Sequence, residues 1–209
     1  MGYQYLHEFS CDSKAEAVSS IQIAAASTYE YAGGTVLSGI GGFCSLVEKS
    51  SGIVEGSAQD GVGGKELVSA LVRGGRRWIG FDLVAMNVND LAVTGITPHT
   101  FLDEIAFSEL PAGACMELVN GIAFACRYAG VALIGGETAV IPRLFPKGFY
   151  HLSGTAFGSA TSRDSLITGE RIEPWMRVYG LPSNGIHSSG FTLVRRVFGL
   201  EFDSPRARF

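Results

Sequence analysis

Several short stretches of this sequence combine residue types that could hold a phosphate-bearing ligand. In Asp60-Gly61-Val62-Gly63-Gly64-Lys65, glycine-dense backbone following a strand-like segment can turn several N–H groups toward phosphate oxygens, and the lysine adds a point charge. Asp60 repels phosphate unless it holds a divalent cation that bridges to it. The same residues also describe a plain glycine hairpin turn. Asp82, Met86 and Asp90 recur at helical spacing, and Asn87 lies three residues before Asp90, so Asn87 and Asp90 share a helix edge. An Asn–Asp pair on so apolar a helix is either solvated or employed. Gly135-Gly136-Glu137-Thr138 places an acid after two glycines at the carboxyl end of a short apolar run, one way to present a ligand to a crevice; a loop acid capping a helix is the plainer reading. Asn184-Gly185-Ile186-His187-Ser188-Ser189-Gly190 supplies an imidazole and two hydroxyls ahead of a helix, where a serine could simply be an N-cap and the histidine a surface residue. Neither a GxSxG elbow nor a Cys–His arrangement is present, so nucleophilic hydrolysis has no support.

Bulk properties narrow the partners. The net charge of −4 argues against nucleic acid, which demands a concentrated basic surface, and the run Arg73, Arg76, Arg77 is short and glycine-broken. The apolar runs are too short and interrupted to cross a bilayer. No basic segment followed by an apolar run opens the chain, which points to the cytoplasm. The Ser- and Ala-rich residues 10–32 leave an organelle matrix open, although Asp12, Glu16 and Glu30 count against a transit peptide. Cys11, Cys44, Cys115 and Cys126 form no CxxC pair; they read as reduced, with Cys115 and Cys126 buried as small hydrophobes. Glycine stands out: its 28 copies are about twice the usual ~7% share.

The elements that must position these groups follow from periodicity. Ala15–Tyr29 reads as helical. Gly52–Ala58 reads as a strand leading into the Asp60 loop, residues 66–72 resume apolar spacing, and Gly74-Gly75 makes a turn. Leu83, Val84, Met86, Val88, Leu91 and Ala92 give Phe81–Val93 a wide apolar helical stripe, and Pro98 forbids continuation. Thr100–Phe107 reads as a strand, within which Asp103 and Glu104 either present acids to a ligand, a weaker case than Glu137, or are explained by an edge position. Pro111 opens a second helix to about Ala129. Val131–Ile134 is a short buried strand broken sharply at Gly135-Gly136, and Phe149–Ser159 alternates as a strand should. A polar stretch at residues 160–173 marks a candidate boundary, Arg177–Leu181 reads as another strand, and Gly190–Phe198 starts a helix. Strands alternating with long helices mean α/β or α+β.

Taken in order, Gly39–Phe43, Asp60–Lys65, Ile79–Leu91, Phe101–Asp103, Gly135–Pro142 and Asn184–Arg195 resemble the aminoimidazole ribonucleotide synthetase (phosphoribosylformylglycinamidine cyclo-ligase) family. The resemblance implies an α/β (α+β) fold: an extension over residues 1–38, an ATP-binding synthetase domain over 39–168 with its sheet packed on helices, and the first elements of a second α/β domain over 169–209. It implies ATP and Mg2+ as cofactors and a cyclo-ligase reaction of purine synthesis, in which ATP phosphorylates the amide oxygen of formylglycinamidine ribonucleotide and the neighbouring amine closes the imidazole ring. Such chemistry asks for positioning and charge neutralisation more than for a protein nucleophile. By resemblance, Asp60, Asp90 and Glu137 surround the metal, while Gly61, Gly63, Gly64, Lys65, Asn87, Gly135 and Gly136 join them around the nucleotide. His187, Ser188 and Ser189 sit at the phosphate-bearing substrate, with His187 and Lys65 in catalytic roles. The family's homodimers, whose sheets join in a shared barrel, are the implied assembly.

The sequence also departs from the family pattern. Position 64 is glycine where the family has threonine, no lysine lies between Ala15 and Val47, and the family chain is much longer. The alternative expectation is therefore a synthetase-derived structural or assembly subunit of a larger complex, without turnover.

Overall fold

A computed structural model describes residues 11–200. Helix α1 (Cys11–Ala26) and a 3-10 turn (Tyr29–Tyr31) precede two short strands, β1 (Thr35–Ser38) and β2 (Ser45–Glu48). Then come β3 (Val54–Gly61), α2 (Lys65–Leu71), α3 (Gly75–Ala92), β4 (Thr97–Phe107), α4 (Ala114–Ala129), β5 (Ala132–Val140) and β6 (Tyr150–Ala160). A second 3-10 turn (Arg163–Ser165) and helix α5 (Phe191–Phe198) follow. The strands form one six-stranded sheet in the order β1-β2-β3-β6-β4-β5. Every pairing is antiparallel except β4 with β5, which is parallel and has α4 as the crossover that a parallel pair requires.

The pleat sorts side chains between two faces. Val54 and Ala58 of β3, Phe101 and Ile105 of β4, and Leu152 and Ala156 of β6 are buried beneath Ile79, Leu83 and Val84 of α3 and Leu118 and Ile122 of α4. On the opposite face Glu55, Gln59, Glu104 and Glu137 are exposed, and among the described residues no helix is packed over them. The two covering helices touch through glycine: a Cβ on Gly80 would lie 2.7 Å from the Ile122 backbone nitrogen, and one on Gly121 would collide with the Arg77 carbonyl. Only a residue without a side chain permits that approach.

Several expectations change. The helix expected from Phe81 begins at Gly75, because a positive φ at Gly74 (73°) ends the preceding segment and frees its successor to be helical. The helix expected from Pro111 begins at Ala114, with Pro111 in the turn that accepts the Ala114 N–H. Strand β5 does not break at Gly135-Gly136: it runs through them to Val140, paired as Leu102↔Gly135, Asp103↔Gly136 and Glu104↔Glu137 after a register shift that absorbs Ile134. Glycines end a strand when no ladder continues beside them, and here β4 extends to Phe107. Asp103 and Glu104 are not on an edge, since β4 pairs on both sides. Arg177–Leu181 forms no strand; Val178 and Leu181 are each 97% exposed, and an extended segment without a partner has no ladder to join. Cys44 and Cys126 are the buried thiols and Cys115 is half-buried; the side chain of Cys11 lies outside the described residues. Strands β1 and β2 went unread in the glycine-rich region before residue 52.

Candidate functional site

The site grows from the end of β3. Its inward row Val54, Gly56, Ala58 continues to Asp60, so the carboxylate emerges on the helix side just where the ladder stops at Gly61. The Gly61 N–H donates to Asp60 Oδ1 at 2.8 Å, and the chain reverses through Gly63, at a φ of 58°, into α2. Lys65, the first residue of that helix, pairs with Asp82 Oδ2 of α3 at 2.5 Å, and its ammonium stands 5.7 Å from the ring centre of Phe191. Lys65 is thereby held between a carboxylate and an aromatic face.

Helix α3 splits its polar residues between core and cleft. Leu83, Asn87 and Leu91 make an inward row at i, i+4, i+8, and Asn87 is fully buried. Its Nδ2 donates to the Leu83 carbonyl at 2.9 Å and reaches the Asp60 carbonyl at 3.5 Å, so this amide ties α3 to the end of β3 from inside. Asp82 and Asp90 face the cleft instead. Burial raises the Asp90 carboxyl above its ordinary pKa, and the negative charge of Asp60 raises it further. The two acids thus lie close enough to repel.

A cavity of about 640 Å³ joins these groups: Asp60, Lys65, Asp82 and Asp90 on one wall, and the segment Asn184–Ser189 on the other. Its size falls in the range of small-molecule sites. His187, Ser188 and Ser189 all line it, the His187 Nε2 lying 3.4 Å from Ser183 Oγ. Neither serine caps α5, whose N-cap is Gly190 and which has no side-chain cap.

The model of the family described as AIR synthase related protein, N-terminal domain, matches residues 51–160. The chain belongs to this family. The phosphoribosylformylglycinamidine cyclo-ligase of Synechococcus sp. (strain CC9605) is 44% identical over 165 residues, which are 78% of this chain and 47% of that protein. The enzyme of the same name from Nitrosospira multiformis is 46% identical over 165 residues, 78% of this chain and 46% of that one. The chain therefore spans about half the length of the curated relatives it matches. Among solved structures, AaThiL complexed with AMPPCP and TMP superposes with a TM-score of 0.50 at 18% identity, over 58% of this chain and 37% of that one, a likeness of fold alone.

Within the AIR synthase domain so defined, three residues read as part of the nucleotide site stand apart. Gly135, Gly136 and Glu137 belong to edge strand β5, and Glu137 is exposed on the face away from the helices, in register with Glu104, then Ser153, then Gly61. Three strand spacings, roughly 14 Å, and the thickness of the sheet separate it from Asp60. Among the described residues no three His, Cys, Asp or Glu side chains converge as a metal cage. Asp82 lines the cavity and holds Lys65, and Glu66 lies behind it in the first turn of α2. Asp82 was visible as one of the acids at helical spacing; Glu66 was hidden among apolar-spaced residues, its polarity the one available signal. No helix among the described residues is long and apolar enough to cross a membrane.

Proposed function

We propose that this chain carries the nucleotide-binding half of a phosphoribosylformylglycinamidine cyclo-ligase. The observation that carries the reading is the cavity in which Asp60, Asp90 and Lys65 face His187 and Ser188. The donor chemistry fits a divalent ion: two carboxylates, the pKa of one raised by burial and then by the other's charge, gain most from a shared Mg2+. In this reading Asp60 and Asp90 would hold the ion, whose charge would supply neutralisation of the phosphates. The N–H groups of Gly63 and Gly64 and the Lys65 ammonium receive the triphosphate, while the Gly61 N–H holds the Asp60 carboxylate in place. Asp82 keeps Lys65 extended over the cleft. His187, Ser188 and Ser189, on the opposite wall, bind the phosphate-bearing substrate, with His187 the catalytic side chain of that wall. The γ-phosphoryl group passes to the amide oxygen of formylglycinamidine ribonucleotide; the amine nitrogen then attacks that carbon and the oxygen leaves as phosphate.

Glu137 stands outside this cluster, so the reading assigns it and Glu104 to the open face of the sheet. A second copy covering that face would form the homodimer; size determination by light scattering at micromolar concentration tests it, and a monomer rejects it. In this reading residues 169–209 begin a second unit, and the protein works in the cytoplasm or an organelle matrix. Neither the fold nor the relatives favour an assembly subunit without turnover. Calorimetric titration with ATP decides the central point: heat released with Mg2+ and lost on its chelation is expected, and no heat under either condition rejects the proposal.

A further inference from the structure

The nucleotide loop is fastened at its far end by a residue with no role in the reading above. Glu66 is only 9% exposed, and its Oε1 accepts from the Leu152 backbone N–H at 2.7 Å and sits 3.2 Å from His151 Nδ1. The last register pair of β3 with β6 is Gly61↔Ser153. Beyond it the chain leaves the sheet, but Val62 N–H still donates to the Leu152 carbonyl at 3.2 Å. The remaining group of Leu152 on that side, its N–H, would lose its ladder partner, and the Glu66 carboxylate takes that place. One residue of β6 is therefore gripped twice by the turn that carries Lys65. The next turn of α2 adds a third tie, with Ser69 Oγ 2.6 Å from the Tyr150 hydroxyl.

We propose that Glu66 is the positioning residue of the nucleotide loop, standing in for the missing strand partner of Leu152 and fixing where Lys65 points. A buried carboxylate is retained only when strong donors compensate it, and both donors here lie on β6. Lys65, its neighbour in sequence, can reach Asp82 and the cavity only while the first turn of α2 stays on that strand. The proposal rests on the nucleotide reading for its consequence, and on geometry alone for the clamp.

Two measurements on the full chain test it: hydrogen exchange of peptides covering residues 60–66 and 150–153, and titration with Mg–ATP. Glu66→Gln keeps an oxygen for the Leu152 N–H, whereas Glu66→Ala removes it. The alanine variant is expected to exchange about tenfold faster at residues 62–66 with α4 unchanged, and to bind Mg–ATP about tenfold more weakly, the loss of one charge-assisted hydrogen bond. Glu66→Gln is expected within roughly threefold of the parent in both. Unchanged exchange at residues 62–66 in the alanine variant overturns the proposal, and so does loosened exchange with unaltered Mg–ATP affinity. If alanine also exposes α4, Glu66→Asp, too short to reach Leu152, replaces it and is read by the same two outcomes. A parent chain that takes up no Mg–ATP fails the nucleotide reading itself, and the exchange measurement then decides alone whether Glu66 holds the loop.

Discussion

Asp90 illustrates how a binding group and a stabilising group can have opposite preferences. Burial and the charge of Asp60 raise its pKa, so the folded chain holds the Asp90 proton more readily than the unfolded chain does. That acid therefore opposes folding above its raised pKa, and the penalty fades as pH falls through it. Asp90→Asn is expected to raise the thermal midpoint at neutral pH while abolishing Mg2+-dependent ATP binding; a lowered midpoint would contradict the repulsion described. His151 works in the other direction. Its hydrogen bond to Glu66 raises the imidazole pKa against an opposing effect of burial, giving stability that is complete below the unfolded value near ~6.5 and is lost as pH rises through the folded one. His151→Gln is expected to remove that part of the pH dependence, read from thermal midpoints across pH 5 to 8. Lys65→Ala, which leaves Asp82 unpaired, is expected to weaken Mg–ATP binding by about tenfold or more, and calorimetry checks it.

At the scale of elements, the helix pair above the sheet depends on two absent side chains. Gly121→Val would drive a branched side chain into the Arg77 carbonyl, and overpacking of this kind costs about 1–3 kcal/mol, measurable by urea unfolding. The α3 periodicity was legible because its apolar residues recur at 3.6 spacing along most of the helix, and only the entry through Gly74 was hidden. Asn87 and Asp90 were legible as a pair but not as occupants of different environments; the row Leu83–Asn87–Leu91 had to be seen against the sheet before the amide became interior. Strand β5 could not be read through Gly135-Gly136 because its continuation is dictated by β4, a non-local partner. Arg177–Leu181 failed for the complementary reason, having strand-like residues and no neighbour. Of the site, the loop and the cleft acids were readable from type and spacing. The separation of Glu137 was not, since it follows from strand order.

For the molecule as a whole, the sheet is two-sided in character: one face is sealed by α3 and α4, the other exposes Glu55, Glu104 and Glu137, with no helix among the described residues packed over them. Further along the chain, Trp175, Val178, Tyr179 and Leu181 are each at least 78% exposed, four large apolar side chains close in sequence and open to solvent. The isolated chain is therefore expected to bind a hydrophobic dye under native conditions, and Val178→Lys with Leu181→Lys to reduce that fluorescence without moving the thermal midpoint. The strand order carries a further consequence, for synthesis. β6 lies between β3 and β4, yet it is made after both, so of this sheet's six strands an interior one is synthesised last. Until residue 160 has emerged, β3 and β4 have no common neighbour and Phe101 no complete enclosure. The nascent domain therefore holds its centre open until then, and that interval is when its apolar surface is most exposed to aggregation.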